Sequence, residues 1–310
     1  MPFWAIDPPA DSYFDRRLNA WVVSRYHDVA AALREPRLAP ALALSQGPTV
    51  PVDSNAHSEF RVQALRALSP AAIGQWEERF ARAADQFAAT LPAGEPVDLV
   101  SRYARPWSLE AAGIAVGVSA DECERLAVPA RSIFAAACEP FNESLAEAAR
   151  KATVELAAFF GAAPPWTVQM FVALAHSLPA LLGNLWLAFI EQPAEMDELL
   201  RLAGPAKAQF RRAADGVTIG DCSIERDQLV ILRLDIANHD PDRTPNCGHL
   251  AFGAGLHSCV GATLVKSTAA IATNALLDRF LLAPPYRAVP KDQFAMRYVS
   301  SLQVTLSRAV

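Results

Sequence analysis

Of the five cysteines in this chain, one stands where a thiol becomes reactive. Cys259 lies in the run Phe252-Gly253-Ala254-Gly255-Leu256-His257-Ser258-Cys259-Val260-Gly261, and an alanine-rich helical stretch follows directly. Gly253, Gly255 and Gly261 suit backbone that turns through positive φ or approaches another group closely. A helix starting just after the loop aims its free N–H groups and its dipole at the sulfur, which lowers the thiol pKa and favours the thiolate. A thiolate so placed is a nucleophile or a metal ligand. Phe252 adds a flat apolar surface before the loop, and His257 a group able to carry positive charge two residues before the sulfur.

Two charged pairs stand upstream. His57 and Arg61 are four apart, so on a helix they share one face and can grip one anion. Glu198 and Arg201 are three apart and can lock each other as an ion pair.

With every fixed position of Phe-Gly-x-Gly-x-His-x-Cys-x-Gly present, the Cys259 run resembles the haem-binding loop of the cytochrome P450 family. The resemblance extends from about Trp21 to Leu306. It implies a mainly α fold with small β-sheets, shortened from the family norm, as one domain over residues 1–310. It also implies haem b as cofactor, with Cys259 the axial thiolate, Phe252 packed beside it, Gly261 closing the loop and His257 reaching a propionate. His57, Arg61 and Arg211 match the family's other propionate-binding positions, and Glu198-Leu199-Leu200-Arg201 matches the Glu-x-x-Arg brace of the proximal side. A monooxygenase-type oxidoreductase acting on a specialised metabolite follows, fed by ferredoxin and its reductase.

One segment departs from the pattern. Ala173-Leu174-Ala175-His176-Ser177 stands where the family has Ala-Gly-x-acid-Thr. Ser177 keeps a hydroxyl and His176 can move protons near neutral pH, so both are candidate catalytic residues. Ala173, His176 and Ser177 share a face by helical spacing. Equally, Leu174 would crowd the oxygen groove, and His176 would ligate the iron or turn away into packing. Pro179 leaves the Ala175 carbonyl without its helical donor, so a kink or local opening is expected there. This departure keeps two alternatives open: a haem-thiolate enzyme needing no external electrons (peroxygenase, isomerase, dehydratase or bond-forming oxidase), or a non-catalytic haem-binding helper.

The elements that must position these groups follow from periodicity and breakers. A strand at Ala20–Val23 leads into a helix near 28–35, and helices are expected over 73–91, 97–117, 120–137, 144–161, 167–192 and 262–282. Pro129 is expected to break or kink the fourth of these runs. Strands fit 217–220, 228–232 and 298–310. Residues 39–55 form a proline-dotted loop apolar enough to line a pocket.

Composition sets the limits. The chain has 310 residues, 52% of them hydrophobic, enough for a sizeable core. A net charge of −5, from 28 basic and 33 acidic residues, gives no electrostatic support for a nucleic-acid partner. The odd, irregular cysteines argue against a disulfide scaffold. No leader pattern or membrane-length apolar span is read, so a cytoplasmic enzyme without a membrane partner is expected. Missing material in the distal roof implies an open substrate side. That suits a bulky or carrier-tethered substrate, a partner protein, or a homo-oligomer.

Overall fold

A computed structural model describes residues 11–41, 54–164, 166–244 and 247–309, without the side chains of 54–57. Strands β1 (Tyr13–Asp15) and β2 (Ala20–Val23) lead into α1 (Tyr26–Ala32), and β3 (Leu38–Pro40) follows. Most of the expected pocket-lining loop, residues 42–53, falls outside the described residues. Helix α2 (Ser54–Ala67) comes next, then α3 (Pro70–Ala89), whose cap Ser69 accepts from the Ala72 N–H. Pro70 stands in its first turn, where the missing N–H has no helical partner to lose. β4 (Pro96–Asp98) precedes a π-turn at Val100–Ala104 and helix α4 (Arg105–Val116). A Ser119–Glu122 capping box opens α5 (Ala120–Cys138), and Asn142 caps α6 (Glu143–Phe160). Helix α7 (Trp166–Val172), a second π-turn (Ala173–Ser177) and α8 (Leu178–Glu191) make one long apolar run. After α9 (Met196–Ala203) come β5 (Ala208–Ala213), β6 (Val217–Ile219), β7 (Cys222–Ile224), β8 (Leu229–Arg233) and α10 (Leu234–Asn238). The cysteine loop then leads to α11 (Ala262–Leu277), β9 (Phe280–Leu281), β10 (Tyr286–Asp292), β11 (Arg297–Thr305) and β12 (Ser307–Arg308).

Three expectations need correcting. Residues 96–98 pair with β11 (Val97 opposite Val304), so the helix expected from residue 97 starts only after a strand and a π-turn. Pro129 does not break its helix; it is buried inside α5, which runs on to Cys138 in keeping with the helix expected over 120–137. Residues 166–191 are in fact long and apolar enough to span a membrane, but 78% of their most apolar window is buried within the fold.

The described residues divide into two compact units. The first holds the described residues of 11–41, 195–259 and 294–297. Its sheet runs β1-β2-β8-β5-β3, with β2 parallel to β8 and β5 antiparallel to it. One face packs Val23, Val29, Leu33, Val230 and Leu232 into a core with Leu250 and Ala254, so the cysteine loop is seated directly on the sheet and α1. The second unit holds α2 to α8, α11 and the β4-β11-β10 sheet. Its centre is aromatic: Tyr103 and Trp186 stack at 5.5 Å, both fully buried. Their polar tips reach α11, Tyr103 Oη donating to the Ala272 carbonyl and Trp186 Nε1 to Thr273 Oγ1.

Both π-turns in that unit have one cause. Arg105 N–H bonds to the Val100 carbonyl and Leu178 N–H to that of Ala173, each five residues back, and each donor is followed by a proline (Pro106, Pro179). The proline ring collides with the carbonyl four residues before it and offers no N–H, so the turn widens by one residue instead of closing. The opening expected at Pro179 is present.

Candidate functional site

In the first unit the glycines of the cysteine loop are required by what surrounds them. Gly253 and Gly255 take φ of 69° and 70°. A Cβ on Gly253 would lie 2.8 Å from Gln209 Nε2, and one on Gly255 would lie 2.7 Å from the Leu33 carbonyl oxygen. The loop turns at Gly255–His257, where Ser258 N–H donates to the Gly255 carbonyl at 3.1 Å, and closes with Cys259 N–H donating to the Phe252 carbonyl at 2.9 Å. Cys259 emerges exposed, with Phe252 and His257 half-buried. Gly261 is the backbone N-cap of α11, and its carbonyl accepts from Val265 N–H at 2.9 Å.

Behind the loop stands a brace. Arg201 Nε donates to Glu198 Oε2 at 2.8 Å, and Arg201 Nη1 donates to the Asn238 carbonyl. Hydrogen bonding from Arg201 holds the Glu198 carboxyl below its usual range. The Asn238 side chain passes the constraint on, its Oδ1 accepting from Leu250 N–H at 2.7 Å, two residues before Phe252. Sequence reasoning identified Glu198 and Arg201 as a support but missed Asn238, a buried polar residue twelve positions from its partner. It also passed over His249 as structural or surface. That ring lies 5.7 Å from the Phe252 ring, and its Nδ1 accepts from Ala251 N–H at 3.2 Å.

Arg211 carries the strongest electrostatic statement in this unit. It lies on β5, 4% exposed, with Nη1 on the Phe210 carbonyl (3.0 Å) and Nη2 on Gln209 Oε1 (2.8 Å). Its Nε is buried without a hydrogen-bond partner, and among the described residues no carboxylate pairs with it. Burial alone pushes the guanidinium down to about 10. A buried, unneutralised cation is costly, and the described residues supply no anion for it. A carboxylate from a bound group fits that vacancy of charge, so Arg211 suits a haem propionate. Gln209 went unread. Its spacing carried a signal, since residues two apart on a strand share a face.

In the second unit, Arg61 is half-buried on α2, one helical turn beyond His57. The His57 side chain lies outside the described residues, so the pair's grip on an anion is not seen. On the long apolar helix, Ala173, His176 and Ser177 are half-buried, while Leu174 is 1% exposed and held in the core. His176 Nε2 lies 2.9 Å from the Ala127 carbonyl on α5, and its ring stacks on Phe134 at 6.0 Å and 24°. A carbonyl only accepts, so Nε2 carries the proton and donates it. Burial lowers the His176 pKa, and Arg131 and Arg105 lower it further. Its contacts with Ala127 and Phe134 are packing contacts with α5.

No family model matches the chain. Among curated proteins it is similar to cytochrome P450 107B1 of Saccharopolyspora erythraea, 26% identical over 85% of this chain and 82% of that protein. Among solved structures it is similar to the cytochrome P450 enzyme CYP109B1 from Bacillus subtilis, with TM-score 0.80, 22% identity and 95% of each chain covered. P450BioI, crystallised with an acyl carrier protein ligated to hexadec-9Z-enoic acid, gives TM-score 0.79 at 20% identity, covering 93% of this chain and 92% of that one.

Proposed function

We propose that this chain, a cytochrome P450-type haem oxidoreductase by its fold and its relatives, is a monooxygenase that places one oxygen atom into a small specialised metabolite. Cys259 would supply the thiolate ligand, and Phe252, His257, Arg211, Gly261, His57 and Arg61 are the residues that would hold the haem. When bound, the haem supplies the oxygen-activating chemistry, and a thiolate ligand pushes electron density toward the iron. The chain's own residues do the rest. Gly253 and Gly255 let the loop turn so that the sulfur is presented, and the Cys259 N–H bond to Phe252 fixes the loop's closure. The buried Arg211 would neutralise a propionate and be neutralised in turn. Ser177, in the π-turn of the long apolar helix, would supply the hydroxyl for proton delivery.

The observation that carries this reading is the buried Arg211 guanidinium, without a carboxylate partner among the described residues, in the same unit as a cysteine loop shaped for a ligand. The absorption spectrum of the reduced protein under carbon monoxide tests it, beside Cys259→Ala. A strongly red-shifted Soret band that vanishes in the variant is expected, and a protein that binds no haem would overturn the reading.

A second reading is favoured by the engagement of His176 with Ala127. With that proton committed to a backbone carbonyl and no acid–threonine pair present, the enzyme would use peroxide rather than external electrons. Turnover with ferredoxin, its reductase and NADH supports the first reading, and turnover with hydrogen peroxide alone supports the second. A carrier-tethered substrate is the occupant to try beside free small molecules, because P450BioI is a structural neighbour. A cytoplasmic site of action agrees with an enzyme drawing on soluble electron carriers.

A further inference from the structure

We propose that His176 is a positioning residue that tethers the α5–α6 hairpin to the π-turn of the long apolar helix, and is not a proton donor in the reaction. The argument begins with how the hairpin is held. α5 and α6 pack chiefly on each other, and the pair meets the rest of its unit mainly through α5 against α4, α7 and the π-turn, with α6 against α7 and Phe134 of α5 also touching Tyr298 of β11 at 5.8 Å. On the outside the hairpin is bare: Val128 is 70% exposed and Val154 65%. Its hold therefore comes from one side.

On that side, His176 makes two contacts of different kinds. Nε2–H donates to the Ala127 carbonyl at 2.9 Å, and the ring lies against Phe134, seven residues further along α5. The two points are about two helical turns apart. One side chain thus fixes both position and tilt. Its place is set by the Pro179 opening, for the π-turn advances His176 relative to an uninterrupted helix. Proline, widened turn, histidine and hairpin form one mechanical chain, so displacement of the hairpin and re-registering of residues 173–177 are coupled.

The same geometry argues against proton delivery by His176. Its transferable proton sits on Nε2 against a carbonyl. The second nitrogen would gain a proton against burial and against Arg131 and Arg105, which together outweigh the support that the bond to the Ala127 carbonyl gives the charged ring.

Amide hydrogen exchange over residues 120–160 of the haem-loaded protein tests this, comparing wild type, His176→Phe and His176→Gln. Phe keeps a flat ring against Phe134 and loses the donor; Gln keeps a donor of similar reach and cannot titrate. The expected result is exchange roughly tenfold faster across α5 and α6 in His176→Phe, the scale of one lost hydrogen bond in a local opening equilibrium. His176→Gln should stay within about twofold of wild type, and α3 and α11 should not change in either variant. Unchanged exchange in His176→Phe would overturn the tether, as would equal acceleration in every helix. A His176→Gln protein with normal exchange but turnover as low as His176→Phe would restore the proton role and overturn the other half. The tether is read from exchange alone, so its failure is separate from that of the monooxygenase reading, which rests on the carbon monoxide spectrum; only the proton-role half uses turnover.

Discussion

Gln209 Oε1 accepts from Arg211 Nη2 at 2.8 Å, while Gln209 Nε2 occupies the space that any side chain on Gly253 would need. The buried cation and the cysteine loop are thereby linked through one amide. The arrangement explains why a position in the loop must be glycine and why a guanidinium can be buried beside no acid. It also sets the first two predictions.

Arg211→Leu should separate stability from cofactor binding. Removing a buried, unneutralised charge relieves the haem-free protein, so its Tm should hold or rise, since apolar replacements of buried charge are often neutral or stabilising. Haem affinity should fall by roughly tenfold or more, the scale of a lost charge-assisted hydrogen bond. Haem titration and thermal unfolding of both proteins check this. A parallel loss of both properties would mean that Arg211 is only structural.

Gly253→Ala and Gly255→Ala should differ in size. Both force a side chain into positive φ, at roughly 1 kcal/mol. At Gly253 the obstacle is the end of a flexible glutamine, which can move aside at the expense of its bond to Arg211. At Gly255 the obstacles are backbone, the Leu33 carbonyl oxygen and the Arg34 Cα. Chemical denaturation should therefore rank Gly255→Ala as the more damaging, while Gly253→Ala chiefly weakens haem binding.

Asn238→Ala should loosen the loop without touching it. The Leu250 N–H would lose its buried acceptor, at roughly 1–3 kcal/mol, and the Glu198–Arg201 pair would brace a segment no longer tied to residue 250. The expected readout is a lower Tm together with a partial loss of the red-shifted carbon monoxide band. Asn238→Asp keeps the acceptor oxygen and should recover most of both.

Acid should destabilise the fold before carboxylates titrate. Burial lowers the pKa of His176 and of His239 below the ordinary 6.5, so near and below that value the unfolded chain binds protons that the folded chain refuses. Stability from these groups is complete above the ordinary value and falls as pH drops from there toward the lowered one. Tm measured from pH 8 to pH 5 should decline across that window, and less steeply in His176→Phe. An unchanged slope in the variant would show that His176 is not a source of the decline.

What the chain alone determined is short in range. The cysteine run, the Glu198–Arg201 spacing and the glycines announce themselves because each depends on neighbours within a turn or a loop. The opening at Pro179 was legible for the same reason, since a missing N–H and a ring acting four residues back are covalent facts. The strand at Ala20–Val23 and most of the expected helices also stand where periodicity put them. Tertiary structure decided the rest. Pro129 remains inside a helix because α6 packs along it, and residues 96–98 become a strand because β11 lies beside them. His176 turns toward a carbonyl 49 residues away, and Asn238, at the end of α10, supports the loop residue Leu250 twelve positions on. Side-chain type fixes which bonds a residue can make, while the partner it meets is set by packing between distant segments, which local periodicity does not encode.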